Sequence, residues 1–490
     1  MRRAWAGLFS AAAVLYLLAR DAYWVGYFND DAFYLIGARA LTEGRFAELN
    51  HPGQPPLIQY LPGYPLLLAP LMPFCAASWL PAQLLSVLVG LSSAAAAAWA
   101  FAPDLDEEGR LLLAALCLFN PLALSLSGAV LADAPFALAA LLLVGTARRA
   151  WPRTSPRVWA ALGAAAGASA LIRPNGLALI LALAAALAWE RRGREAAAAL
   201  AAAALVVGPW FLRNAAAGGH PLLYAAELAG PIEAAPWTTL GAAASRAGFY
   251  LSELYARALF RWPWGAPPAA AAAAAALAGL AAAVLALTRG GLSGGRRFAL
   301  LSALALFGLL LAWDKRSTRY LLPLIPLAAA WGLAGLAGRR GTRLAAAALA
   351  LASFIVPARA ILAASLRPEA PPARAPERTF AWIRANTAPG AVFACELDGQ
   401  LFLRTGRRSV TLPRGADGRN LQLWAAGSGA DFLLVSPTAD ILRTTRGVGP
   451  HDAVPAAERR RDAGRASVLE PVFEDPGEGT VIYTKKTPGL

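Results

Sequence analysis

The run Asn29-Asp30-Asp31-Ala32-Phe33-Tyr34 places two carboxylates side by side just after the first apolar segment of the chain. Charge beside a bilayer is costly to keep and tends to mark substrate, ion or proton sites. A carboxylate with an ordinary pKa of about 3.9 is a weak base in water, but burial and a neighbouring carboxylate raise its proton affinity into a range useful for accepting a proton. Asp30 is therefore the expected catalytic base and Asp31 its partner. From Asp31 to Leu41, Phe33, Ile36, Ala40 and Leu41 recur at helical spacing, with Asn29 or Asp30 as start signal and Gly44 as stop, which predicts a short surface helix. Consecutive helical residues do not share a face, so one aspartate points into the site while the other caps, orients or binds a cation. The plain alternative for Asp30 is a helix cap and nothing more.

The elements that must hold this pair are mostly membrane. Hydrophobic residues make up 58% of the 490-residue chain and charged residues only 15%, too apolar a balance for a soluble domain. The mean hydropathy is +0.48. The net charge of +15 does not point to nucleic acid, because the arginines fall mainly in short loops between apolar runs and in the C-terminal tail. Cys75, Cys117 and Cys395 lie far apart without metal-ligand spacing, so neither a zinc site nor a disulfide framework is expected. Apolar runs at 4–19, 79–102, 111–128, 134–147, 158–172, 177–189, 196–212, 266–287, 298–313, 320–337 and 344–358 give about eleven transmembrane helices. The first is read as an uncleaved helix rather than a signal peptide.

Loops holding Arg2 and Arg3, Arg148 to Arg157, Arg191 to Arg194, Arg289 to Arg297 and Arg339 to Arg343 alternate along the chain and are expected in the cytoplasm. The exception is the acidic loop Asp104 to Glu108, since acids count little in that rule. The first outer loop, 21–78, then faces outward together with the tail. The expected organisation is a membrane domain over 1–366, a proline-rich linker over 367–376 and a small soluble α/β domain over 377–490, outside the cytoplasm. In that domain Glu377 to Asn386 reads as a helix, and 391–395 and 431–435 as buried strands.

The outer loop continues through His51-Pro52-Gly53-Gln54-Pro55-Pro56 and Leu61-Pro62-Gly63-Tyr64-Pro65-Leu66, a rigid surface or re-entrant element. Further along come Asn120-Pro121, Ala132-Asp133-Ala134-Pro135, Arg173-Pro174-Asn175-Gly176, Pro209-Trp210-Phe211-Leu212-Arg213-Asn214, Gly219-His220-Pro221 and Arg319-Tyr320-Leu321-Leu322-Pro323. In this order the motifs resemble the type-C polytopic membrane glycosyltransferases (GT-C), family 39-like, in the branch of protein O-mannosyltransferases, lipid A aminoarabinose transferases and RgtA/B/C/D-like enzymes. The resemblance spans roughly residues 1 to 360. It implies an all-α polytopic membrane fold with a small soluble tail, and transfer of a hexosyl or pentosyl group from a polyprenyl-phosphate donor, with inversion, to a lipid, glycan or protein acceptor at the outer face of a bacterial inner membrane. Within the family the first acid of the loop motif is the acid/base candidate, which falls on Asp30. The second position is often Glu, where this chain has Asp31.

The chemistry such a donor needs is visible in the residue types. A lipid phosphate leaves already ionised, so it needs positive charge where its own charge grows. Arg173, Arg213, Lys315, Arg316 and Arg319 are outward cations set against the inside-positive bias. Arginine matches phosphate oxygens bidentately, which favours Arg319 and Arg173; snorkelling or pairing with Asp314, Glu227 or Glu233 is the structural alternative. Asp133 could orient the acceptor or a divalent cation, or merely cap its helix before Pro135. His51 and His220 could complete a metal site with Asp133, though ligands from distant loops form no motif. Glu43 and Glu48 read as solvated loop acids, and Tyr64 and Tyr320 as cavity residues or interfacial anchors. Alternatives from other classes are a lipid or glycolipid transporter or flippase, and a glycan ligase or polymerase using a lipid pyrophosphate.

Overall fold

The computed structural model describes residues 1–76, 78–218, 236–258, 269–292, 294–313, 316–336, 375–396, 398–412, 429–436 and 469–485, with a few isolated positions between. It is mainly helical. The predicted apolar segments within these residues are all helical: Arg2–Ala19, Leu80–Ala100, Glu107–Leu118, Asp133–Ala150, Pro156–Ile172, Gly176–Trp189, Gly193–Ala216, Ala269–Gly290, Gly294–Ala312 and Leu324–Gly335. By length and composition alone, Leu80–Ala100, Gly193–Ala216 and Gly294–Ala312 are long and apolar enough to cross a membrane. The segment 344–358 apart from Ile355, most of the proline-rich stretch, and His220, Glu227, Glu233, Asp314 and Lys315 lie outside the described residues.

Two boundaries differ from the hydropathy reading, and each has a local cause. The run 111–128 breaks at Asn120, whose side chain accepts from the amides of Leu122 and Ala123 and starts a separate short helix, Pro121–Ser125. The run 320–337 begins as a 3-10 turn, Thr318–Leu321, and becomes an α-helix only after Pro323.

Small residues let the helices touch. A Cβ on Gly163 would fall on the Ala199 carbonyl of the neighbouring helix Gly193–Ala216, so these backbones meet without side chains between them. The first helix is part of the same packing, with Ala12, Tyr16 and Ala19 buried.

At one end of the bundle Asp104 gathers three connections. Its carboxylate pairs with Arg148 at 2.5 Å and Arg296 at 2.6 Å, and the Asp104 and Arg148 side chains are buried. The acid that looked exceptional in an arginine-rich set of loops is thus their shared counter-ion. Removing one partner of a buried pair leaves the other uncompensated and costs about 3–5 kcal/mol. Asp104→Ala should therefore lower the thermal midpoint of the detergent-solubilised protein; an unchanged melt would mean the pair contributes nothing to stability.

The first outer loop carries the helix Asp30–Thr42, ended near Gly44 at φ 74°, and the helical pair Gly63–Leu68 and Ala69–Cys75. Leu66, Leu67 and Phe74 of that pair are exposed.

The C-terminal residues form a five-stranded sheet of β1 (Val392–Cys395), β2 (Arg408–Thr411), β3 (Phe432–Val435), β4 (Leu469–Asp475) and β5 (Thr480–Lys485) in the order β2-β1-β3-β5-β4. β1 runs parallel to β2 and β3, while β5 is antiparallel to β3 and β4. The helix Glu377–Asn386 packs Phe380 and Ile383 against Phe393 and Ile482 on one face. This helix, β1 and β3 fall where the periodicity placed them, whereas β2, β4 and β5 carried no such signal.

Candidate active site

Four charged side chains meet at the end of the bundle opposite Asp104. Asp30 is the first residue of its helix, and its carboxylate is not a cap: Arg319 donates to Oδ2 at 2.5 Å and the Tyr60 hydroxyl to Oδ1 at 3.1 Å. Asp133, at the start of Asp133–Ala150, pairs with Arg173, at the end of Pro156–Ile172, also at 2.5 Å. Tyr320 stands between the two cations, its ring centroid 5.2 Å from the Arg173 guanidinium carbon and 5.4 Å from that of Arg319. Phe28 lies 5.7 Å from Arg319 on its own side. Two guanidiniums that would repel are thus held near each other by a shared π face and by one carboxylate each.

Asp31 faces the other way. It is buried and its Oδ2 accepts from the Gly26 amide at 2.7 Å, so it ties the preceding loop to the helix start. The two adjacent carboxylates therefore divide as helical geometry requires, one toward the cations and one toward the backbone. Around them stands an aromatic wall: Phe33 stacks on Tyr60 at 4.9 Å, and Tyr34 meets Tyr60 and the fully buried Tyr64 edge-on at 5.4 Å and 5.2 Å. A mostly apolar pocket lies between the helices, lined by Asn120, Ala134, Ala137, Leu322, Ile325 and Pro326 among others; none of the four charged side chains lines it.

The remaining candidates are placed elsewhere. Arg213 donates to the carbonyls of Leu57 at 2.7 Å and Phe46 at 2.6 Å and stacks near Trp210, so it braces the first loop. Arg316 bonds Ser245 at 2.7 Å. The Nδ1 of His51 accepts from the Gly53 amide at 3.1 Å, which engages the imidazole in its own turn. Among the described residues no group of three or more His, Cys, Asp or Glu side chains could hold a metal ion. His51 is engaged in its own turn and His220 lies outside the described residues, so the described residues do not assemble the ligand set of Asp133 with His51 and His220. Asp133 Oδ2 is buried without a hydrogen-bond partner among the described residues, which leaves it able to accept from an incoming hydroxyl.

Sequence reasoning missed Tyr60, Phe28 and a third acid, Asp398. The last belongs to the helix Asp398–Thr405, and its carboxylate accepts from Asn29 at 3.2 Å, Asn50 at 3.4 Å and Thr411 at 2.6 Å. Burial pushes it above the usual carboxylate range despite these donors. Glu43 is a solvated acid beside Arg45, as expected, but Glu48 is part-buried, and burial together with the charge of Asp398 pushes it up to about 7. The sign follows from linkage. Below the unfolded value of 4.5 both states are protonated and nothing is lost; between 4.5 and about 7 the folded state holds the extra proton, so stability falls as pH rises. Glu48→Gln should melt higher than wild type at pH 8 and equally at pH 4. Equal melts at both pH values would mean the carboxylate is solvated.

No family model and no curated protein matches the sequence. Solved structures do. ArnT from Cupriavidus metallidurans bound to undecaprenyl phosphate superposes with a TM-score of 0.63 at 14% identity, covering 99% of this chain and 98% of that one. Its apo state gives 0.59, at 14% identity, over 98% and 97%. The archaeal oligosaccharyltransferase AglB from Archaeoglobus fulgidus, in complex with an inhibitory peptide and a dolichol-phosphate, gives 0.58 at 13% identity, over 89% of this chain and 69% of that one. These neighbours are GT-C glycosyltransferases, as the order of motifs implied. At such identities the likeness is one of fold.

Proposed function

We propose that the chain is an inverting, membrane-embedded glycosyltransferase that moves a hexosyl or pentosyl group from a polyprenyl-phosphate donor to a lipid, glycan or protein hydroxyl. The observation that carries this reading is the Asp30–Arg319 pair set beside Asp133–Arg173 and joined to it through Tyr320, a base and two phosphate-matching cations in one cluster. Among the fold neighbours, ArnT binds undecaprenyl phosphate and AglB a dolichol-phosphate.

The proton and the leaving group have separate partners. Asp30 takes the proton of the acceptor hydroxyl, its oxygen attacks the anomeric carbon, and the bond from that carbon to the phosphate oxygen breaks with inversion. Arg319 and Arg173 receive the charge that gathers on the departing phosphate, preorganised by Tyr320 and Phe28. Paired with Arg319, the Asp30 carboxylate is a poor proton acceptor. Donor phosphate offers Arg319 a better-matched set of oxygens and so frees Asp30. The base is thereby switched on by the substrate whose transfer it serves. Asp133 orients the acceptor.

In this reading about eleven helices cross a bacterial inner membrane, with the site and the residues after 377 outside the cytoplasm. A reporter fused after residue 490 should be active outside the cytoplasm. The function is tested by giving purified protein labelled polyprenyl-phosphate sugars and membrane extract. Release of free polyprenyl phosphate with an inverted anomeric linkage in the product is the expected result. Lipid binding without release from any donor would overturn it in favour of a transporter.

A further inference from the structure

The backbone just before Asp30 is held in a conformation that residues with side chains rarely adopt. Asn29 has φ 57° and ψ −35°, and the Asp30 amide donates back to the Phe28 carbonyl at 2.7 Å, which closes a γ-turn with positive φ centred on Asn29. Such turns are rare and strained, and strain of this kind persists only where surrounding structure over-determines it. Asn29 occupies the position of a helix cap, yet its side chain makes no capping bond. Its amide instead reaches Asp398, 369 residues later.

Asp398 is in turn fixed. Thr411 and Asn50 donate to its other oxygen, its own carbonyl accepts from Ser409, and the Ser409 amide donates to the Asn50 carbonyl at 2.8 Å. The helix Asp398–Thr405 can come this close because residue 399 is glycine: a Cβ there would stand 3.1 Å from that of Ala32, 3.2 Å from Asn29 Oδ1 and 3.3 Å from Phe33. Gln400 and Arg404 of the same helix donate to the carbonyls of Gly26 and Val25. One turn of the C-terminal α/β layer is thus bonded to the segment that also holds Asp31 through the Gly26 amide.

We infer that Asp398 is a positioning residue for the transfer reaction: by clamping the Asn29 γ-turn it sets the angle at which Asp30 leaves the loop and meets the acceptor hydroxyl. This rests on the reading of Asp30 as the base. The C-terminal layer is then part of the active-site frame rather than a cover over it. Misplacing a reacting group by about 1 Å can cost on the order of 10²-fold in rate.

The test combines turnover with an exchange measurement that needs no activity. Asp398→Ala and the milder Asp398→Asn should lower kcat about 10- to 100-fold with the donor KM changed less than about threefold. Asn29→Ala should lose a similar amount, Asn29→Gly, free of the Cβ penalty, clearly less, and Asn29→Ala/Asp398→Ala no more than either alone, since both remove one clamp. Hydrogen exchange at the Asp30 amide should quicken at least about tenfold in the Asp398 variants while the amides of β1 and β5 stay protected. Full kcat in a folded Asp398 variant, multiplicative losses in the double variant, or an unchanged Asp30 amide would each overturn the inference. Quickened exchange in a protein whose wild type releases no polyprenyl phosphate would uphold the clamp and refute the transferase reading instead.

Discussion

Replacing Asp30 by asparagine should abolish sugar transfer, with a fall in kcat of about 10³-fold or more, in a protein that still inserts and folds but melts lower than wild type, because Arg319 loses its carboxylate partner. General-base assistance contributes typically 10²–10⁴-fold, and among the described residues no second carboxylate lies against both Arg319 and Tyr60 as Asp30 does. Asp31 is engaged with the Gly26 amide and Asp133 with Arg173. The substitution is nearly isosteric, and the Tyr60 hydroxyl can still donate to the side-chain oxygen it now uses, so the helix start should survive. Asp31→Asn provides the contrast. Its amide oxygen can still accept from Gly26, so its loss should be at least about tenfold smaller than that of Asp30→Asn. If Asp30→Asn turned over at even a tenth of the wild-type rate, Asp30 would be a counter-ion for Arg319 and the base would have to be sought elsewhere, with Asp133 first in line.

Much of this site was legible because its chemistry is local. The helix behind Asp30 announces itself through Phe33, Ile36 and Ala40, and the strands Val392–Cys395 and Phe432–Val435 through short apolar runs. Arg319 and Arg173 stand out in the sequence because the positive-inside rule expects cations in the loops on the other side of the apolar runs. What could not be read is which charge meets which. Asp30 and Arg319 are 289 residues apart, and nothing in either motif selects that pairing over Asp30 with Arg173 or Arg213. Arg213 shows the converse: an arginine expected to face outward and clamp phosphate instead donates to the Leu57 and Phe46 carbonyls of the first loop. Asn29 misled for a similar reason. As a polar residue before a helix it reads as a cap, but a partner arriving from residue 398 outbids the helix amides. Tyr60 had no signal beyond a polar aromatic ahead of a Pro-Gly turn.

The pairing of Asp30 with Arg319 makes a second large effect expected, opposite in sign for the two residues. Arg319→Ala should weaken binding of donor or of free polyprenyl phosphate by about 10²-fold or more, the loss expected when a charge-assisted, nearly buried contact is removed. Asp30→Asn should tighten it by about tenfold. On the proposed mechanism the phosphate competes with the Asp30 carboxylate for the guanidinium that Asp30 now holds, and the apparent affinity is reduced to the extent that this pair is closed. Neutralising Asp30 removes that competitor. Arg319→Lys should recover part of the loss, since a point charge attracts phosphate without matching two oxygens. Binding of a labelled polyprenyl phosphate to the three variants decides the matter, with melts alongside because Arg319→Ala leaves Asp30 without its cation in a largely buried place. Should Asp30→Asn bind no more tightly than wild type, Arg319 would not be shared between carboxylate and phosphate, and its role would reduce to holding Asp30. Should it bind more tightly while turning over nothing, the ion pair is the resting lock of the enzyme and donor phosphate the group that opens it.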